Sequence, residues 1–332
     1  MYESVQIHSL GWIFFNLEVT LARKNQRLRG FAQTGYFYFQ GKQCSLLLFL
    51  LAIMLNPPLS LLSDDLLACI VEHIAKFPFP NNDLYNLSLS DRAFTLSCQR
   101  YIFRDLTLRK PSKIFKLKEI LDDKPSFSNH VRVVKLPTKS AWLFNNHVVI
   151  SILKSLASSP VPPHTLLFRR QTVDDPPIIE DPILVVRGLT QSFFSQTLTI
   201  LRLDRLDVPL PLFLICPRLR EVFLDLVGAT ESYDEYPDDL CSGRKAPRLE
   251  VLDYRNSYSV VGQMITPPPR FNKPVVRWSK LRVLTLSPHE KEEMTCLQPI
   301  LDAACHTLEE LYLTRLHAGE CRCSVFLSTK RI

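Results

Sequence analysis

Two thiols one residue apart, in Cys321-Arg322-Cys323, come nearest to a metal site in this sequence. Two thiolates can supply half of a tetrahedral zinc shell. Neither a second cysteine pair nor a group of histidines completes it, so the pair reads as part of an incidental tail, residues 317–332. His289-Glu290 opens like the helical motif of a zinc protease, then continues as Lys291-Glu292-Glu293 without the second histidine that motif needs. No G-x-S-x-G presents a nucleophilic serine, and neither G-x-G-x-x-G nor G-x-x-x-x-G-K-[ST] occurs. The 332 residues hold only nine glycines, too few for an architecture in which backbone must approach phosphate closely. The expected chemistry is therefore that of binding, with no catalytic residue, no metal and no cofactor.

The nine cysteines (Cys44, Cys69, Cys98, Cys216, Cys241, Cys296, Cys305, Cys321 and Cys323) are odd in number and irregularly spaced, without a C-x-x-C. That pattern fits neither a disulfide framework nor a zinc site and points to a reducing compartment, cytoplasmic or nuclear. Cys69, Cys98 and Cys216 sit among apolar neighbours, where cysteine acts as a small hydrophobe. The formal charge is +7, but the lysines and arginines are spread out, so the excess reads as a mildly basic surface and not as a nucleic-acid footprint. With 46% hydrophobic and 22% charged residues the composition is that of a globular protein, and the length allows two or three domains.

Residues 1–53 show no helical or strand periodicity and read as an unstructured or non-native extension. The apolar run Cys44 to Leu55 is shorter than the roughly 20 residues needed to cross a bilayer, and Asn56-Pro57-Pro58 interrupts any extension of it. Membrane association through Leu46–Leu55 stands as an alternative. From there the logic changes. Ser63 is placed to cap a helix, Asp64 and Asp65 lie at its positive end, and His73 and Lys76 lie at the other. Leu66, Leu67, Ile70, Val71 and Ile74 form one apolar stripe. Phe77 to Asn82 is read as the stop. A second short helix is expected over Asp83 to Leu89, carrying Leu84 and Leu87, and a third after a Ser90 cap, with Phe94, Cys98, Tyr101 and Ile102 inward.

These residues resemble an F-box. The resemblance runs through Pro58-Leu59-Ser60-Leu61-Leu62-Ser63-Asp64-Asp65-Leu66-Leu67, Ile70, Ile74, Asp83-Leu84, Leu87-Ser88-Leu89, Phe94 and Tyr101-Ile102-Phe103-Arg104-Asp105-Leu106. More narrowly, the pattern is similar to F-box proteins abundant in mushroom-type fungi. Ser63 stands where that family has proline, and the loop between the first two helices reads as longer. The resemblance covers residues 56–105. It implies that the module binds the small adaptor subunit of SCF-type cullin–RING ubiquitin ligases, with Leu62, Leu66, Leu67, Ile70, Leu84, Leu87 and Phe94 carrying the contact and its supporting core. Packing within a helical bundle would use the same stripe.

Beyond it an apolar-x-x-apolar-x-apolar phrase recurs: Phe103-x-x-Leu106-x-Leu108, Val131-x-x-Val134-x-Leu136, Leu198-x-x-Leu201-x-Leu203, Leu219-x-x-Val222-x-Leu224, Leu249-x-x-Leu252-x-Tyr254, Leu281-x-x-Leu284-x-Leu286 and Leu308-x-x-Leu311-x-Leu313. The intervals between starts are 28, 67, 21, 30, 32 and 27 residues, and the 67 is read as hiding one further unit. This phrase at this period is the leucine-rich-repeat signature. Its alternation suits short parallel strands with leucines inward. Lys113 to Leu121, Val148 to Leu156 and Met294 to Ala304 have helical spacing between phrases. Arg169 to Pro182, Thr230 to Gly243 and Thr266 to Pro274 read as insertions. An ordinary α/β domain with leucine-rich strands is the alternative.

The expected fold class is therefore α+β to α/β: a short three-helix F-box-like module followed by an irregular leucine-rich-repeat solenoid over residues 106–316. The expected function is substrate recognition for an SCF-type ubiquitin ligase, with the repeats holding a target protein. A repeat scaffold unrelated to ubiquitin, or a membrane-tethered form, are the alternatives. The residues between the inward leucines, Arg202, Asp204, Phe223, Asp225, Asp253, Arg255, Tyr312 and Thr314, are the candidate target-binding surface.

Overall fold

In the computed structural model, the residues described are 63–314 apart from 77–79, 139–140, 171–177, 231–244, 270, 272–273, 288–293 and 295, together with the strand Ser324–Ser328. The chain divides into two compact units, one made of residues 1–78 and 86–97, the other of residues 79–85 and 98–332.

Helix α1 (Asp64–Ala75) begins where expected. Ser63, in an extended conformation, accepts from the Leu66 amide, and Asp64 and Asp65 occupy the first turn. Its buried residues, Leu67, Val71 and Ile74, lie four and three apart, as one helical face requires. Helix α2 (Pro80–Ser90) starts earlier than the asparagines suggest. Pro80 sits in the first turn, where a missing N–H costs nothing, so the segment read as a stop is largely a helix start and the linker is short. Helix α3 (Arg92–Ile102) is capped by Asp91, whose carboxylate accepts from the Ala93 amide at 2.8 Å. Ser90 does not cap it; its hydroxyl donates back to the Leu87 carbonyl at 2.7 Å.

The second unit is a mixed α/β structure built on an open nine-stranded sheet. The strands are β1 (Asp105–Thr107), β2 (Val133–Pro137), β3 (Thr165–Arg169), β4 (Ile200–Asp204), β6 (Glu221–Asp225), β8 (Val251–Arg255), β9 (Val283–Ser287), β10 (Glu310–Thr314) and β11 (Ser324–Ser328). They lie in chain order. The first eight run parallel, each paired with its predecessor, and β11 is antiparallel to β10. A second, two-stranded ladder, β5 (Asp207–Val208) with β7 (Gly228–Ala229), follows the same order just beyond β4 and β6.

Leucines inside the phrases are buried: Leu201, Leu203, Val222, Leu224, Leu252, Leu284 and Leu286 are each at most 2% exposed. The connecting helices place their apolar stripes in the same core. Ile114, Leu117 and Leu121 come from α4 (Pro111–Asp123), and Val149, Ile152, Leu153 and Leu156 from α5's successor α6 (His147–Ala157), α5 being the single turn Ala141–Phe144. Val185, Val186 and Leu189 come from α7 (Pro182–Gln191), and Val260, Val261 and Met264 from α9 (Tyr258–Ile265), which follows the short α8 (Pro211–Leu214). Helix α10 (Leu297–Ala304) adds Ile300 and Ala304 and starts three residues later than the spacing suggests. Strand alternation then turns the intervening residues of each strand toward the opposite face.

The 67-residue interval does hold a further unit, β3 with its flanking segments. Its phrase is Pro163-x-x-Leu166-x-Phe168. Proline, itself buried here, replaces the first aliphatic residue and hides the match.

Candidate functional site

Register fixes which side chains share the open face. Through the middle of the strands run Lys135, Leu167, Arg202, Phe223, Asp253, Thr285 and Tyr312, each directly opposite the next. One step along lie Arg169, Asp204, Asp225 and Arg255. All the expected target-binding residues therefore fall into two adjacent rows, apart from Thr314, a β10 residue whose side chain lies outside the described residues. Lys135, Leu167, Thr285 and Arg169 belong to the same rows and were missed. Aligning all the phrases on their second apolar residue would have found Lys135, Thr285 and, once the Pro163 phrase is admitted, Leu167 and Arg169.

The rows carry mixed chemistry. The Arg202 guanidinium stands 4.6 Å from the Phe223 ring centroid, an arrangement in which the ring's negative face holds the cation and stiffens both side chains. Asp204 receives Arg169 at 2.9 Å and Arg205 at 3.6 Å. Arg255 reaches Asp253 at 3.4 Å on its own strand. Asp225 is exposed. Tyr312 donates to the Glu310 carboxylate at 2.8 Å, and that bond holds the phenol above its ordinary pKa. Two aromatic rings, held arginines and an open carboxylate suit a protein surface better than a small apolar ligand.

The helical residues divide differently. Leu67, Leu84, Leu87 and Phe94 are at most 3% exposed and serve the interior. Leu66 is 38% exposed and Ile70 is half-buried. Leu89 and Leu96, at 68% and 70% exposed, are the more open leucines of this module. Leu62, the Leu46–Leu55 run, His289-Glu290 and Cys321-Arg322-Cys323 lie outside the described residues.

Among the described residues no three His, Cys, Asp or Glu side chains gather closely enough to hold a metal ion. Among them, too, no helix is long and apolar enough to cross a membrane. Cys98 is fully buried, and burial pushes its thiol up to about 11, so it packs as an inert small hydrophobe. No protein-family model, no curated protein sequence and no solved structure matches the chain.

Proposed function

We propose that this chain is a non-catalytic receptor: a leucine-rich-repeat array whose strand face holds a target protein, joined to an F-box-like module that holds the adaptor subunit of an SCF-type ubiquitin ligase. The observation that carries the binding half is the pair of in-register rows on the open sheet face, from Lys135 to Tyr312, with Arg202 held on Phe223. The chain-order parallel sheet, with leucines facing the helices, supports the repeat reading. The adaptor half rests on the residue pattern from Pro58 to Leu106 and on exposed leucines in so small a module. Each such leucine, if covered by a partner, contributes up to about 1.5–3 kcal/mol. Mechanism then reduces to proximity. One end holds the ligase, the other holds the target, and the high local concentration promotes transfer chemistry that the ligase supplies.

The test uses the full chain and purified ligase adaptor subunit. Leu66→Asp with Leu89→Asp changes exposed positions and is expected to abolish capture while leaving the melting temperature within a few degrees. Leu87→Asp, at a buried position, is expected to unfold the module and so is the wrong probe of the contact. Failure of the wild-type chain to capture the adaptor, or undiminished capture by the Leu66/Leu89 variant, would overturn the ligase half of the reading. The strand face would then stand as a scaffold surface unrelated to ubiquitin, tested by whether alanine at Phe223, Arg255 and Tyr312 removes target binding.

A further inference from the structure

One row of the sheet remains without a role. The residue that follows the first apolar position of each phrase sits just before the strand, and these residues stack along one end of the sheet: Arg104, Arg132, His164, Thr199, Arg220, Glu250, Arg282 and Glu309. Their backbones are linked in that order. The carbonyls of Arg104, Arg132, His164, Thr199, Arg220, Glu250 and Arg282 each accept from the next member of the row or from the residue after it, at 2.7–3.2 Å. Far along the row the charges alternate and pair, Arg220 with Glu250 at 3.7 Å and Arg282 with Glu309 at 2.7 Å. At the start they do not alternate. Arg104, Arg132 and His164 are three basic residues in succession, and Arg100, Tyr101 and His130 close around them to form a pocket of about 370 Å³.

Among the described residues none of the three guanidiniums there forms a salt bridge, although much of the same row is paired. Holding three cations together with no carboxylate paired to any of them is unfavourable, and an anion bound among them relieves the repulsion. The pocket is also rigidly built. The Arg132 guanidinium donates to the carbonyls of Asn129, Val131 and Val161 at 2.6, 2.9 and 3.3 Å, so one of its nitrogens is fixed by backbone. His164 Nδ1 is engaged with the Thr165 hydroxyl at 2.9 Å. His130 lies against Phe127, which stacks on Phe103 with centroids 4.7 Å apart.

We infer that this pocket is a binding site for a phosphoryl dianion. The forks of Arg100 and Arg104, with the Arg132 nitrogens not already given to backbone carbonyls, suit a tetrahedral group with three terminal oxygens and close to two negative charges; a single carboxylate would satisfy only one of them. The volume lies at the low end of small-molecule sites and leaves room for the stem of a phosphate ester beside Tyr101. Tyr101 and Arg104 also belong to the residue pattern of the F-box-like module, but none of the strand-face residues and none of the leucines assigned to the adaptor contact lines this pocket.

The histidines supply a second signature. Burial first, then Arg100 and Arg132, hold His130 below its ordinary 6.5. Burial, Arg132 and Arg104 lower His164 as well, with Glu221 opposing them. Both imidazoles are therefore neutral at pH 7, and a dianion among the arginines must raise both values.

The experiment is a titration of the full-length chain with inorganic phosphate, phosphoserine and phosphotyrosine at low ionic strength. Calorimetry gives the affinity, and imidazole resonances of histidine-labelled protein give the pH at which each ring titrates. Saturable binding is expected, with the titration points of His130 and His164 moving upward. Arg100→Gln and Arg104→Gln replace exposed side chains without ion pairs, so they should leave the melting temperature unchanged and weaken binding about ten-fold or more each. Tighter binding of either ester than of inorganic phosphate assigns the pocket to a phosphorylated compound, and equal binding assigns it to the free ion. Absence of saturable binding at millimolar ligand, equal affinity in the arginine variants, or the same resonance shifts from potassium chloride at matched ionic strength would overturn the proposal.

Discussion

Gly188 shows how a single residue can run against its own propensity for a packing reason. It lies in the body of α7, where glycine costs about 1 kcal/mol relative to alanine. A Cβ there would stand 2.3 Å from Phe144 Cδ1, and Phe144 is itself buried. Overpacking a filled core costs about 1–3 kcal/mol, which exceeds the helix gain. Gly188→Ala is therefore expected to lower the melting temperature, and an unchanged or raised value would show that Phe144 moves aside freely. Gly228 faces a similar constraint from the Asp207 carboxylate, with Oδ1 1.9 Å from where a Cβ would sit. Desolvation raises the pKa of that carboxyl, and the Gly228 N–H opposes the rise. Neither glycine stands out in the sequence, because each is required by a side chain far along the chain.

At the scale of elements, three successive units turn the same corner. Arg205, Leu226 and Asn256, each the residue after its strand, adopt left-handed conformations with φ of 59°, 55° and 48°. The residues that follow them, Leu206, Val227 and Ser257, are buried, each three positions beyond the last apolar residue of its phrase. Ser257 binds two units together there: its hydroxyl accepts from the Val227 amide at 3.0 Å and donates to the Arg255 carbonyl at 2.7 Å. Ser257→Ala would leave the Val227 N–H buried without a partner, at a cost of about 1–3 kcal/mol. Chemical denaturation checks this, and a loss well under the lower figure would mean that another acceptor takes over. Such cross-unit bonds explain what was legible in the residues and what was not. Strand positions could be read because burial imposes period-two alternation on each phrase, and α1 because Ser63, two aspartates and a stripe agree. The start of α2 was misread because Pro80 resembles a stop when helix context is unknown. β3 was missed because Pro163 breaks the aliphatic pattern yet still packs. The strand-face candidates left out Lys135, Leu167, Arg169 and Thr285, and the cationic pocket was invisible until register stacked Arg104, Arg132 and His164, residues 28 and 32 positions apart.

For the molecule as a whole, chain-order pairing has an energetic consequence. Among the described residues, each strand of the nine-stranded sheet from β2 to β10 pairs with its predecessor and its successor in the order, and the helices between them pack into one continuous core. An element's stability should then depend mainly on its immediate neighbours, as nearest-neighbour architectures require, and less on strands several places away. Leu201 of β4 and Leu284 of β9 are both fully buried and lie three places apart in the sheet. Truncating either to alanine should cost about 2–5 kcal/mol, the usual range for a buried leucine that leaves a cavity. The cost should be distributed differently. In native-state hydrogen exchange, Leu201→Ala is expected to reduce protection most in β3, β4 and β6 and least in β10. Leu284→Ala is expected to reduce it most in β8, β9 and β10 and least in β2. The pair forms a reciprocal control, because a general loss of stability would lower all the strands together in both variants. If both profiles fall uniformly, the sheet unfolds as a single cooperative unit and the nearest-neighbour account is wrong, even though the strand order is the one that account predicts.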